Sequence, residues 1–302
     1  MKSILICIIC LLSLSDVHSN EIIPKKLKGG YKSCVVLSQE FEAGKSITDG
    51  KYKSDSAVYD KKGKLIEKIR YNVLNDFIKT TYLYDGNDNV IDETTYNSEN
   101  TVVGKTLFEY DSKNNKIKEG HVSGHDTLTI SIDVVYNEKN EIVKIIALKS
   151  DKSVHYSYTY TYNNVGKISE SLYFYSRKPK SINERTTYKY DDKDSLIETT
   201  IYQDGAINLT KEFRYDKKGN LIQTTVNSPD NKQHEEHTFK YDTKGNKTQE
   251  SLLTVNSMLP LGAFSKNSFY KYDKYGNVLE ETSYLGKNHK EPTFRKDYIY
   301  SK

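Results

Sequence analysis

The sequence predicts an all-β protein: tandem antiparallel β-hairpin repeats forming one long twisted or coiled sheet, a partial spiral or shell. Three observations carry this. Tyrosine followed by Asp or Asn recurs at Tyr59, Tyr84, Tyr110, Tyr136, Tyr162, Tyr190, Tyr215, Tyr241 and Tyr272, in steps of 25 to 31 residues, with a tenth anchor at Tyr300. Strand formers are abundant, with 26 tyrosines among 302 residues and Ile, Val and Thr at regular intervals. Only five prolines interrupt them.

The chain begins with a predicted signal peptide, residues 1–19. Lys2 supplies the positive start, Ile4 to Leu14 is apolar but for Ser13, and Val17-His18-Ser19 places small residues around a cleavage site. Ile6 before Cys7 and Ile9 before Cys10 argue against a lipoprotein signal, where a small residue is expected. No second apolar stretch is long enough for a membrane helix, so the expectation is export to the periplasm, the cell surface or the medium. With Cys7 and Cys10 removed, Cys34 is the remaining thiol and reads as a small buried hydrophobe.

Residues 20–302 read as one domain. Its opening unit, 20–58, has a strand over Tyr31 to Phe41, a loop with Gly44 and Gly50, and a strand from Tyr52; repeats fill 59–302. Each repeat is organised by its turn. Residue i of a type I turn favours Asp or Asn, which fits Asp60, Asp85, Asp111, Asn137, Asn163, Asp191, Asp216, Asp242 and Asp273. Position i+3 favours residues that tolerate the left-handed region, and there stand Gly63, Asp88, Asn114, Asn140, Gly166, Asp194, Gly219, Gly245 and Gly276. A type I turn with a following bulge is a standard hairpin connection.

Two residues before the anchors lie Ala57, Tyr82, Phe108, Val134, Tyr160, Tyr188, Phe213, Phe239, Tyr270 and Tyr298, which period-2 alternation places on the anchor face. After the turns come apolar pairs such as Leu65-Ile66, Leu221-Ile222 and Val278-Leu279. Adjacent strand residues point to opposite faces, so these pairs predict a sheet coiled enough to cover part of its second face.

Segments such as Phe213-Arg214-Tyr215-Asp216-Lys217-Lys218-Gly219-Asn220-Leu221 and Tyr270-Lys271-Tyr272-Asp273-Lys274-Tyr275-Gly276-Asn277-Val278 resemble the RHS/YD-repeat family, over roughly residues 50–302. The resemblance implies a long sheet wound into a spiral or shell, and carbohydrate or partner binding. Unlike the toxin members, the sequence shows no core or effector segment after its last repeat, so it looks like a short exported member.

Chemistry-bearing motifs are sparse. His234-Glu235-Glu236-His237 spaces its histidines by three, where a zinc-protease helix needs four. His121, His125 and Asp126 lack an evident further ligand. Asp85-Gly86-Asn87-Asp88-Asn89 imitates a calcium loop but has Val90 where glycine is needed, and it falls on a repeat turn. No catalytic, metal or cofactor residues are assigned. A net charge of +4 from 45 basic and 41 acidic residues, spread along the chain, gives no nucleic-acid footprint. The expected function is a non-catalytic extracytoplasmic binding or scaffold protein, with a carbohydrate or an envelope protein as partner. Two alternatives stay open: a subunit of a larger secretion or toxin-like assembly, and a glycan-acting enzyme with an unrecognised carboxylate pair. The most apolar connection, around Leu259, Leu261 and Phe264, is expected to cover the sheet or to form a contact loop.

One expectation is directly checkable. N-terminal sequencing of the exported protein should return Asn20 as the first residue; a lipidated cysteine would contradict the leader assigned here.

Overall fold

The computed structural model describes residues 23–48, 50–72, 76–124, 128–176, 182–256, 263–286 and 291–302. The expected leader and its cleavage site fall outside these residues.

Each repeat is built outward from its turn. The N–H of Gly63 bonds to the Asp60 carbonyl, the N–H of Asp60 bonds to the Lys64 carbonyl, and the Asp60 carboxylate accepts the N–H groups of Lys62 and Lys64. The arrangement recurs at Asp85, Asp111, Asn163, Asp191, Asp216, Asp242 and Asp273. All nine i+3 residues have positive φ, from 64° at Asn114 and Asp194 to 87° at Gly276. This agrees with the turn type read from the sequence.

Past each turn the ladder slips. Val58 stands opposite Glu67 but Tyr59 opposite Leu65, leaving Ile66 as an extra residue. The same slip marks all nine repeat hairpins. This bulge corrects the reading of the apolar pairs: alternation is reset at Ile66, so Glu67 joins Val58 on one face while Leu65 joins Tyr59 on the other. A bulge also interrupts the hairpin's own hydrogen bonds. The next repeat exploits the gap. The Tyr84 hydroxyl donates to the Leu65 carbonyl at 2.6 Å, and Tyr110, Tyr136, Tyr162, Tyr190, Tyr215, Tyr241, Tyr272 and Tyr300 each reach the equivalent carbonyl of the preceding repeat. Each of these nine anchors thus latches its hairpin to the one before.

The expected open sheet, a partial spiral or shell, is overturned. Strand Ser33–Glu42 pairs with Phe294–Ser301 on one side and with Tyr52–Tyr59 on the other, and every other barrel strand pairs antiparallel with its sequence neighbours. Of the 21 strands among the described residues, 20 therefore close into a barrel, and the short Lys45–Ser46 pairs with Ser33–Glu42 alone. The strand of the tenth anchor takes Ser33–Glu42 as its return strand, with Tyr300 opposite Cys34 and Tyr298 opposite Val36. Closure removes both edges of the sheet.

Residues from Ile23 to Gly30 strap this seam. The N–H of Leu27 bonds to the Gly63 carbonyl, the N–H of Leu65 to the Lys25 carbonyl, and Asn277 exchanges bonds with the Lys28 backbone. Tyr59, with no repeat before it, donates instead to the Pro24 carbonyl at 2.9 Å. Ile23 and Leu27 bury themselves against Cys34, Val36, Ala57, Tyr59, Leu65 and Tyr298.

Cα partners share a face, so register carries face identity around the wall. The buried apolar wall residues, including Ile145, Ala147 and Leu252, lie on the anchor face; the opposite face exposes Val58, Leu83, Val135 and Ile299. Side chains converge on the concave side of a closed wall, so the anchor face is the inner one. Twenty strands about 4.8 Å apart make a perimeter of roughly 100 Å, too wide for one wall's side chains to fill.

Two substitutions separate turn from latch. Gly219 has φ 84°, so Gly219→Val should cost about 1–2 kcal/mol in urea unfolding. Tyr215→Phe should cost about 1 kcal/mol by removing the hydroxyl's bond to Leu196; an unchanged midpoint would mean the latch contributes nothing.

Candidate functional site

The densest chemistry on the inner face is a tyrosine wall. Val154–Tyr162 reads VHYSYTYTY, whose alternation from Tyr156 sends Tyr156, Tyr158, Tyr160 and Tyr162 to one face and Ser157, Thr159 and Thr161 to the other, while His155 is the extra residue of a bulge against the preceding strand. The neighbouring strand Ile168–Tyr175 adds Tyr173 opposite Tyr158 and Tyr175 opposite Tyr156, and the next, Ile182–Tyr190, adds Tyr188 and Tyr190. Tyr158 and Tyr173 meet at 4.7 Å between centroids with planes 30° apart. Tyr156 stands at 73° to Tyr158 and 45° to Tyr173, while Tyr160 and Tyr175 lie nearly parallel to their strand neighbours Tyr158 and Tyr173. The rings therefore present faces in several directions.

These tyrosines are half-buried. Burial pushes Tyr162 and Tyr190 up to about 12 and raises Tyr156, Tyr158, Tyr160 and Tyr173 as well. Polar groups punctuate the wall. The hydroxyls of Ser171 and Tyr188 share a hydrogen bond of 3.0 Å. His155 packs edge-on to Tyr175 at 5.2 Å, and its buried Nδ1 has no hydrogen-bond partner among the described residues. Glu184, opposite Tyr173 and Gln203, has its carboxyl raised above the usual range by burial alone.

The residues singled out from sequence fall elsewhere. Leu259 and Leu261 lie outside the described residues. Phe264 is the second residue of strand Ala263–Tyr272, paired with Thr254 and 40% exposed. His234 to His237 occupy strand Gln233–Tyr241, so the two histidines point to opposite faces. His234 bonds to Asn227, whereas His237 joins Glu235 and Glu250 on the inner face, and Glu250 also holds Lys247. His121 lies beside Thr106 and Glu119; His125 and Asp126 lie outside the described residues. Asp85 spends its carboxylate on the turn. Among the described residues no three His, Cys, Asp or Glu side chains converge as a metal site requires. Cys34 is fully buried, and burial pushes its thiol up to about 12. The tyrosine wall was legible as alternation in Val154–Tyr162, but not as a site, because its third strand joins it only through the fold.

No family model matches the chain, and no curated protein does. Among solved structures it is similar to the crystal structure of TcdB2-TccC3, with 12% identity and a TM-score of 0.40 over 88% of this chain and 20% of that one. The chain thus spans about a fifth of that protein's length. It is also similar to a porin-like protein from Bacteroides uniformis ATCC 8492, with 10% identity and a TM-score of 0.42 over 92% of this chain and 98% of that one.

The His237 cluster makes stability depend on pH. Burial alone would lower the imidazole, but hydrogen bonds to Glu235 and Glu250 outweigh it and push His237 up to about 9. A group raised in the folded state stabilises fully below its unfolded value, about 6.5, and loses that contribution as pH rises through 9. The urea midpoint should fall across this window and flatten in His237→Gln; parallel profiles for the two proteins would contradict the cluster's role.

Proposed function

We propose that the chain is a non-catalytic, exported binding or scaffold protein whose barrel presents its inner tyrosine wall to carbohydrate. The observation that carries this is the set of half-buried rings on Val154–Tyr162 and Ile168–Tyr175, flanked by hydroxyls, His155 and Glu184. Aromatic faces suit the apolar faces of sugar rings, and convergent polar groups orient hydroxyls. The repeats' resemblance to YD-repeat proteins supports the same reading.

The outer wall bears on location. Its strands place Lys105, Lys118, Asp133, Lys144, Glu170, Glu198 and Glu212 among outward residues. Charges there would be costly against lipid, where an apolar band is required. The reading is therefore an envelope or secreted barrel bathed in water on both faces, not one embedded in a bilayer.

A glycan array on the mature protein tests the proposal, followed by titration of any hit. Tyr158→Ala and Tyr173→Ala should each weaken binding about tenfold, as loss of a central aromatic anchor does. Unchanged affinity would move the site off this wall, and release of reducing ends from a bound glycan would favour the enzyme alternative.

A further inference from the structure

The charge pattern around the tyrosine wall is one-sided. On its inner face the three strands Val154–Tyr162, Ile168–Tyr175 and Ile182–Tyr190 carry many phenol rings and a single carboxylate, Glu184. Among the described residues Glu184 has no ion pair and no hydrogen bond to its side chain. Among the described residues the cations of this region lie elsewhere; Arg177, Lys178 and Lys180 fall outside them. Arg185 points to the outer face, where it pairs with Glu170 and covers the ring of Tyr202; Lys144 is on the outer face too, and Lys149, on the inner face by register, stands at its strand's end. Leaving a carboxylate half-buried without a cation costs free energy that surrounding phenols do not repay. Ring faces carry negative charge density, and a carboxylate among them adds more. Other lysines in this protein already lie over rings, such as Lys53 over Tyr71 at 4.4 Å and Lys79 over Tyr96 at 4.8 Å, whereas the rings beside Glu184 have no such occupant among the described residues.

We propose that this wall binds an amine: a sugar bearing a free ammonium group seats that cation against the faces of Tyr158 and Tyr173 and beside the Glu184 carboxylate. The inference rests on the carbohydrate reading above and narrows it to amino sugars whose nitrogen is not acylated. Tyr156, nearly perpendicular to Tyr158, supplies a second wall of the cage, and the neutral phenols leave Glu184 as the charged partner. An acylated nitrogen would bring no charge and would leave Glu184 unpaired. Neutral sugars would stack on the rings without this gain.

Calorimetric titration of the mature protein with a glucosamine oligomer, its fully N-acetylated counterpart and tetramethylammonium tests this, at a mildly acidic pH where the free amine is protonated. The expected result is binding of the free-amine oligomer about tenfold or more tighter than the acetylated one. Glu184→Gln, which keeps the side chain's shape, should erase that difference by bringing the free-amine oligomer down to the affinity of the acetylated one, without lowering the thermal midpoint. Equal affinities for the two oligomers, or a preference that survives in Glu184→Gln, would overturn the inference and leave the carbohydrate reading standing. If neither oligomer binds, the carbohydrate reading fails. Tetramethylammonium then decides the amine site: binding that is lost in Glu184→Gln supports it, and no binding overturns it.

Discussion

The tyrosine hydroxyl bonded to the carbonyl of the preceding repeat is the interaction on which this architecture turns. Its logic starts with a left-handed residue at i+3, which closes a tight turn and forces a bulge one step later. The bulge frees a backbone carbonyl at Leu65 and at each equivalent position. A buried acceptor of this kind has to be satisfied, and the next anchor satisfies it. Turn, bulge and latch are therefore one unit, and each hairpin becomes part of the wall only by completing its predecessor. The side chains say the same. Two residues earlier the wall accepts Ala57, Phe108, Val134 or Tyr160, whereas all ten anchors are tyrosine. Apolar area alone would have admitted phenylalanine.

A chain of such units has two ends, and the protein joins them to each other. The strand Ser33–Glu42 is the missing half of the tenth hairpin, and the strap from Ile23 supplies the carbonyl that the first anchor lacks. The seam accordingly holds the best-packed apolar cluster of the described residues, with Cys34 and Val36 almost wholly enclosed. Elsewhere the wall is a single layer with polar and charged residues on both faces, in keeping with a chain that is only 36% hydrophobic. Freed of a packed core, the inner face can hold rings and charges that a compact domain would bury or exclude.

What could be read from the sequence is what is local. Turn residues and their φ values followed from Asp60-to-Gly63 spacing and its copies, and the two aromatic columns followed from period-2 alternation. Closure could not be read, because it depends on pairing residue 33 with residue 301, and nothing in Cys34-Val35-Val36-Leu37 marks that partner. A bulge after each turn followed from the turn type, but the reading of the Leu65-Ile66 pairs did not carry its reset of the alternation. Turns at the opposite rim were also passed over, although Asn97 to Asn100 repeats the same chemistry, with Asn100 at φ 59°. The candidate site shares this limit: alternation in Val154–Tyr162 shows four tyrosines on one face, but Tyr173 and Glu184 join them through sheet register.

Closure through the chain's own ends is the central claim, and a disulfide across the seam tests it most directly. Val35 and Ile299 are Cα partners on the outer face, at a separation an antiparallel pair keeps near 5 Å and a disulfide can span. In a protein carrying Val35→Cys and Ile299→Cys, with Cys34 replaced by alanine, mild oxidation should give a monomeric, intramolecularly bridged species in near-quantitative yield. If the two thiols stay reduced, or bridge only between molecules, the ends are apart and the wall is an open sheet.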